Sequence, residues 1–294
     1  MKFALQAVGC GSTARPDVLG EVARRAEGLG FESVWVPEHL AVPLEMTTPY
    51  PYSADGRFPG GANVALHDPL IALTYVAACT SRIRVGTGVF VLPLRNTLAV
   101  AKAAASLDLL SNGRFLFGIG VGWLAEEFAA VGMPFADRGA RTREAIRLMR
   151  ALWTEETPRF DGRFHQVPAV GFSPKPARAG GPPIILGGET PAALRRAAAL
   201  GDGWIGVSHT PDSVRPLIAS LRAQLAERGR DAAGFEITVG PAPGLTLTRE
   251  AVRAFAEAGV DRLFAFSPGF VPRAKLASDL YPAMEEFAAT VMAD

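Results

Sequence analysis

Lys2-Phe3-Ala4-Leu5-Gln6-Ala7-Val8-Gly9-Cys10-Gly11-Ser12-Thr13-Ala14 is the stretch on which the choice of fold turns. Lys2 to Val8 reads as a strand that stops at Gly9. Residues 17–29 then carry Val18, Leu19, Val22, Ala26 and Leu29 at helical spacing, with Gly30 as the stop. A strand, a glycine turn and a helix can open either a doubly wound sheet or a closed barrel. The doubly wound reading wants G-x-G-x-x-G in this turn, and Gly9-Cys10-Gly11-Ser12-Thr13-Ala14 fits it poorly. The later Gly118-Ile119-Gly120-Val121-Gly122 has the wrong spacing and lies far from the first turn. The turn therefore favours the barrel.

Outward from it the same unit recurs. Ser33 to Val36 is a second predicted strand and Ile83 to Val89 a third, rich in β-branched residues. Arg114 to Ile119, Pro183 to Leu186, Gly203 to Val207, Phe235 to Val239 and Arg262 to Phe266 complete the series. Asp68 caps a helix that begins at Pro69. Further helices are expected at Thr97 to Leu110, 123–131, 138–153, 191–200, 211–228, 249–258 and near 279–291, and Asp161-Gly162 marks a hairpin turn. Eight strand–helix units predict a (β/α)8 TIM barrel with inserted loops. The 294 residues are read as one domain, 1–294, about 45 longer than a typical barrel of roughly 250. The excess is expected as insertions near 37–67 and 155–182.

The composition removes several functions. Lys and Arg number 30 against 29 Asp and Glu, so no broad basic surface is expected for nucleic acid or membrane. Cys10 and Cys79 make no disulfide framework and read as buried thiols. The N-terminus has no signal-peptide pattern, and the longest uncharged apolar run, Pro69 to Cys79, is too short to span a membrane, so a cytoplasmic protein is expected. None of Lys2, Lys102, Lys175 and Lys275 ends a predicted strand, which disfavours Schiff-base chemistry. His67, His165 and His209 are scattered, so no metal is expected.

In a barrel, chemistry belongs to the loops that follow the strands. One such loop holds Gly187-Gly188-Glu189-Thr190-Pro191: two glycines, a capping Thr and a Pro at the first helical position. Its N–H groups and helix dipole can receive a phosphate, or the turn can be an ordinary cap. Glu189 would have to turn away from an anion. Another loop holds Glu38-His39, where His39 can hydrogen-bond or move a proton near neutral pH, or simply brace the loop. Trp35 reads as core. Trp123 and Trp204 lie near strand ends, where they could wall a planar ligand. Arg138, Arg141 and Arg143 begin a helix as a largely solvated face, from which one or two could reach an anionic cofactor tail. Residues 41–66 carry Pro, Tyr and Phe and could form an ordered lid.

Several of these motifs together resemble the luciferase-like monooxygenase superfamily. They are Asp108-Leu109-Leu110-Ser111-Asn112-Gly113-Arg114 with Gly118 to Trp123, and Gly86-Thr87-Gly88-Val89 with Leu92-Pro93-Leu94-Arg95-Asn96. Arg138-Gly139-Ala140-Arg141-Thr142 belongs with them, as does Gly187-Gly188 with Gly201-Asp202-Gly203-Trp204. Within the superfamily, Tyr50-Pro51-Tyr52-Ser53-Ala54-Asp55-Gly56-Arg57 resembles the branch that depends on the deazaflavin coenzyme F-420.

The resemblance implies a cofactor ring over the strand ends, with a non-proline cis peptide at Gly88-Val89 against it. It implies a cofactor phosphate at Gly187, Gly188 and Thr190, with Gly120, Gly122, Trp123 and Arg138 also on the cofactor side. It makes Glu38 and His39 the expected catalytic pair. Two positions depart from the pattern. Trp123 stands where F-420-dependent glucose-6-phosphate dehydrogenases carry a catalytic Glu, and Thr97 replaces a common Pro. The function expected is hydride transfer between F-420 and a small organic substrate, with a homodimer as the assembly. The alternatives are a monooxygenase using reduced FMN and oxygen, or a non-catalytic cofactor-binding protein.

Overall fold

The computed structural model describes residues 1–53, 55–58 and 61–293. Its strands are β1 (Lys2–Leu5), β2 (Ser33–Val36), β3 (Arg84–Thr87), β4 (Phe90–Val91), β5 (Phe115–Gly120), β6 (Phe160–Asp161), β7 (Gln166–Val167), β8 (Ile184–Gly187), β9 (Gly203–His209), β10 (Glu236–Pro241) and β11 (Arg262–Phe266). Its helices are α1 (Pro16–Gly28), α2 (Pro69–Cys79), α3 (Thr97–Leu110), α4 (Ala125–Ala130), α5 (Arg138–Thr154), α6 (Pro191–Leu200), α7 (Pro211–Ala226), α8 (Arg249–Ala258) and α9 (Tyr281–Phe287). Apart from the antiparallel hairpin β6–β7, the strands pair in parallel in the order β3-β2-β1-β11-β10-β9-β8-β5-β4, and β3 also pairs with β5. That last pairing closes the sheet into the expected barrel, with β3 and β4 as two halves of one wall.

Local chemistry starts the helices where the sequence predicts. The Asp68 carboxylate accepts from the Leu70 and Ile71 N–H groups ahead of Pro69. Thr210 and Ser213 cap each other's backbone at the start of α7. The third predicted strand differs from expectation. It breaks after Thr87 at a cis Gly88–Val89 bond and resumes at Phe90, where β4 pairs with Ile119 and Gly120. Cys10 is buried, but Cys79, expected buried, is half-exposed at the end of α2. The Asp161-Gly162 turn opens a hairpin closed by a Gly162 N–H to His165 O bond of 2.8 Å.

The barrel interior is a small, separate core of Ala4, Trp35, Leu116, Ile185, Ile205 and Phe264. Trp35 occupies it because its neighbours give way. A Cβ on Gly86 would lie 2.6 Å from the indole, and one on Gly118 would lie 3.1 Å from it. At the opposite end from the mouth, the fully buried Arg262 pairs with Glu32 and Glu236. No helix among the described residues is long and apolar enough to cross a membrane.

Candidate active site

The floor of the mouth is set by Val89. With Val207 it is half-buried on top of the interior core. Glycines flank it: a Cβ on Gly120 would meet Val89 Cγ2 at 2.7 Å, and one on Gly187 would meet Cγ1 at 3.3 Å. Gly122 lies at φ +81°, where a Cβ would also strike Phe128 at 2.6 Å. Three of the glycines expected near a cofactor therefore have steric reasons of their own to be glycine.

His39 follows β2 at the rim. Its Nδ1 donates to Glu127 Oε2 at 2.9 Å, and Glu127 is 2% exposed. The other Glu127 oxygen accepts from the Leu40 N–H at 2.6 Å and the Ala41 N–H at 3.3 Å. This fixes the tautomer, since a carboxylate can only accept, and leaves Nε2 with its lone pair. Glu38 does not join this pair. It is 4% exposed and accepts from the Val91 N–H and from Arg95, whose guanidinium also binds Asp68 at 2.7 Å. Burial pushes the Glu38 carboxyl up to about 7, against the pull of Arg95 and the Val91 amide. Glu38 and His39, the expected catalytic pair, thus take different partners: His39 bonds Glu127, while Glu38 holds β4. Glu127 was not singled out from the sequence. The signal was Glu126-Glu127 following the Gly120 to Trp123 loop, which reads as ordinary acidic residues in the first turn of a helix.

The segment after His39 covers the rim. Glu126 accepts from the backbone and hydroxyls of Thr47 and Thr48, which holds its carboxyl below the usual range. Phe58 packs edge-on to His39 with ring centroids 4.9 Å apart, and Tyr50 lies 5.2 Å from Trp123. Trp123 in turn lies 5.8 Å from His39. The expected lid is therefore an aromatic wall beside the imidazole. Ala54, within the motif typical of the F-420 branch, lies outside the described residues.

Across the mouth, the Thr190 hydroxyl caps α6 by accepting from the Ala193 N–H. Gly188 lies at φ +108°, and its carbonyl accepts from Trp204 Nε1 at 2.9 Å. Trp204 is fully buried and braces this loop from below, so it does not wall a ligand. Glu189 does turn away: it accepts from the Val207 N–H at 3.0 Å and bonds His209 Nε2 at 3.1 Å, partners that hold its carboxyl below the usual range despite burial. The Glu189 carboxylate therefore does not cover the N–H groups at the α6 start. Arg138 reaches the same rim, its Nε donating to Gly122 O at 3.1 Å. Among the described residues, no three His, Cys, Asp or Glu side chains gather to hold a metal ion.

A family model described as luciferase-like monooxygenase matches residues 2–292. The chain belongs to this family. An uncharacterized protein of Mycobacterium tuberculosis is 34% identical over 239 residues, 81% of either chain. An F420-dependent glucose-6-phosphate dehydrogenase of Kineococcus radiotolerans is 33% identical over 230 residues, 76% of this chain and 63% of that one. The structure of an F420-dependent secondary alcohol dehydrogenase in complex with an F420-acetone adduct superposes with a TM-score of 0.76, covering 99% of this chain and 98% of that one at 18% identity. The last likeness is one of fold.

Proposed function

We propose that this member of the luciferase-like family is an oxidoreductase that exchanges a hydride between coenzyme F-420 and a small organic substrate. The observation that carries the reading is the arrangement of the mouth. Val89 forms a floor with glycine clearance on both sides, Gly187 beside it leads into the α6 start, and a carboxylate-held imidazole stands at the rim. The F-420 assignment is supported by the Kineococcus relative, which is named for that coenzyme. Reduced FMN with oxygen is the rival cofactor chemistry.

The residues fit a tricyclic ring with a phosphate-bearing tail. Gly120 and Gly187 leave room beside Val89, and the turned-aside Glu189 clears the α6 start for a phosphate at Gly187, Gly188 and Thr190. When bound, the coenzyme supplies the carbon that gives or takes the hydride. Gly122, Trp123 and Arg138 would line its flank. His39 Nε2 accepts or returns the substrate proton, and Glu127 stabilises the charged imidazolium while that proton is held. Glu38 acts as a positioning residue through β4. Trp123, Tyr50 and Phe58 keep water from the imidazole. We propose further that two copies pair through α2. This helix has no charged residue and exposes Ile71 and Tyr75, 73% and 40% accessible, one turn apart.

Titrating the purified chain with F-420 and with FMN, and following oxygen uptake with a panel of alcohols, carbonyls and alkenes, tests the reading. Tight FMN binding with substrate-dependent oxygen consumption overturns it. Good binding with no turnover on any substrate favours a binding protein. His39→Ala should lower kcat by about 10²–10⁴-fold and leave the F-420 dissociation constant within about threefold. Unchanged turnover removes His39 from the mechanism.

A further inference from the structure

Arg196 sits in the second turn of α6 and is 6% exposed. Among the described residues no carboxylate or carbonyl partners its guanidinium, and its Nε is a buried donor without an acceptor. A buried arginine is ordinarily paired, because an uncompensated charge away from water is costly. Here the surroundings add to that cost. Burial, then the nearby Arg143 and Arg138, bring the Arg196 guanidinium down to about 10. Its Nη1 would lie 3.3 Å from a Cβ on Gly139, so it is aimed at the first turn of α5, where the helix dipole is also positive. Only a glycine at 139 allows that approach without crowding.

Arg138 connects this recess to the mouth. Its Nε is held by Gly122 O at 3.1 Å and its Nη1 by Phe135 O at 3.0 Å, with the Phe135 ring 3.8 Å beneath the guanidinium. Its Nη2 has no partner among the described residues. Two arginines from different helices thus meet at a helix N-terminus, and Asp137 at the α5 N-cap makes no hydrogen bond or ion pair with either of them.

We propose that Arg196, Arg138 and the N-terminal turn of α5 form a second anion subsite, apart from the Gly187–Thr190 turn, which takes a carboxylate or phosphate carried on the tail of the bound cofactor. This rests on the cofactor reading above. Arg196 lies about 7.5 Å along α6 from Pro191, so one anion cannot serve both places. FMN carries a single phosphate and fills one subsite. F-420 continues beyond its phosphate into a carboxylate-bearing oligoglutamate chain and fills both. The uncompensated arginines thereby select the longer acidic tail.

The test uses Arg196→Met and Arg196→Lys in the full chain. Thermal melts are taken without ligand and with inorganic phosphate, and binding of F-420, FMN and riboflavin is followed by fluorescence. Arg196→Met should melt about 2–5 °C higher than the wild type without ligand, because it removes a buried unpaired charge. It should bind F-420 at least tenfold more weakly and FMN and riboflavin within twofold of the wild type. Arg196→Lys should recover part of the F-420 affinity. Unchanged F-420 affinity in Arg196→Met overturns the proposal. So does an equal loss for F-420 and FMN, which would assign Arg196 to the phosphate they share. Loss of stabilisation by phosphate with F-420 affinity intact overturns the tail as the ligand and points to free phosphate. A wild type that binds neither cofactor, yet is stabilised by phosphate through Arg196, supports the anion site and overturns the cofactor reading.

Discussion

Glu127 joins two tasks in one side chain. It fixes the His39 tautomer and it holds the Leu40 and Ala41 amides where the lid leaves the barrel. Glu127→Gln separates these tasks. A glutamine oxygen can still receive the amides, but its NH2 then faces Nδ1, and the imidazole proton moves to Nε2. By analogy with a triad whose carboxylate is made an amide, kcat should fall about 10²–10⁴-fold. The F-420 dissociation constant should stay within about threefold, and the pH–rate profile should change shape, which a merely structural role would not produce. Stopped-flow turnover across pH checks this; an unaltered profile would detach Glu127 from the chemistry. At this scale the sequence was half legible. His39 announced itself, because few side chains titrate near neutrality. The resemblance put Glu38 beside it, yet in the irregular chain after β2 Glu38 turns to Arg95 and the Val91 amide. Glu127 is far off in sequence and only the fold brings it in.

Elements were the most legible level. Asp68-Pro69, Thr190-Pro191 and Thr210-Pro211 mark helix starts by short-range hydrogen bonds, and the structure uses each of them. The third strand was misread as continuous because the cis Gly88–Val89 bond leaves the β-branched pattern intact. The lid's closure was also beyond local signals, since it depends on contacts such as Thr47 with Glu126, 79 residues apart. Helix α2 poses its own question. Ile71 and Tyr75 face outward on a helix that packs beside α3, where Leu98 is 40% exposed as well. The proposed pairing with a second copy would cover this face. Ile71→Asp should raise the dimer dissociation constant by about 100-fold or more, because each dimer would bury two unpaired carboxylates. Sedimentation velocity should show the two-subunit species at micromolar wild type and the single subunit for the variant. A wild type that is monomeric there, or a variant dimer left intact, refutes pairing through α2.

The whole barrel is closed by charge at the end away from the mouth. Arg262 on β11 is fully buried and reaches Glu32, just before β2, at 2.8 Å and Glu236 on β10 at 2.9 Å; Lys2 on β1 bonds Glu236 in turn. No local pattern in the sequence links these residues, which lie up to 234 positions apart. Only the parallel register β1–β2, β1–β11 and β10–β11 brings them together. The barrel itself was readable because eight repeated units need no long-range contact to be counted, whereas this cluster exists only once the barrel has closed. Burial works against ionisation of Glu32, but Arg262 outweighs it and holds the carboxyl down at about 2. A carboxyl depressed in the folded state stabilises above its unfolded pKa, near 4.5, and that contribution is lost as pH falls through the folded value. The shift corresponds to about 3 kcal/mol at neutral pH. Glu32→Gln should therefore lower unfolding free energy in urea by about 2 kcal/mol at pH 7, part being retained because glutamine still accepts from Arg262. The gap between wild type and variant should persist down to about pH 4.5 and narrow steadily toward pH 2. Urea midpoints measured at pH 7, 4.5 and 3 decide it. A gap independent of pH would mean that shape rather than charge closes this end of the barrel.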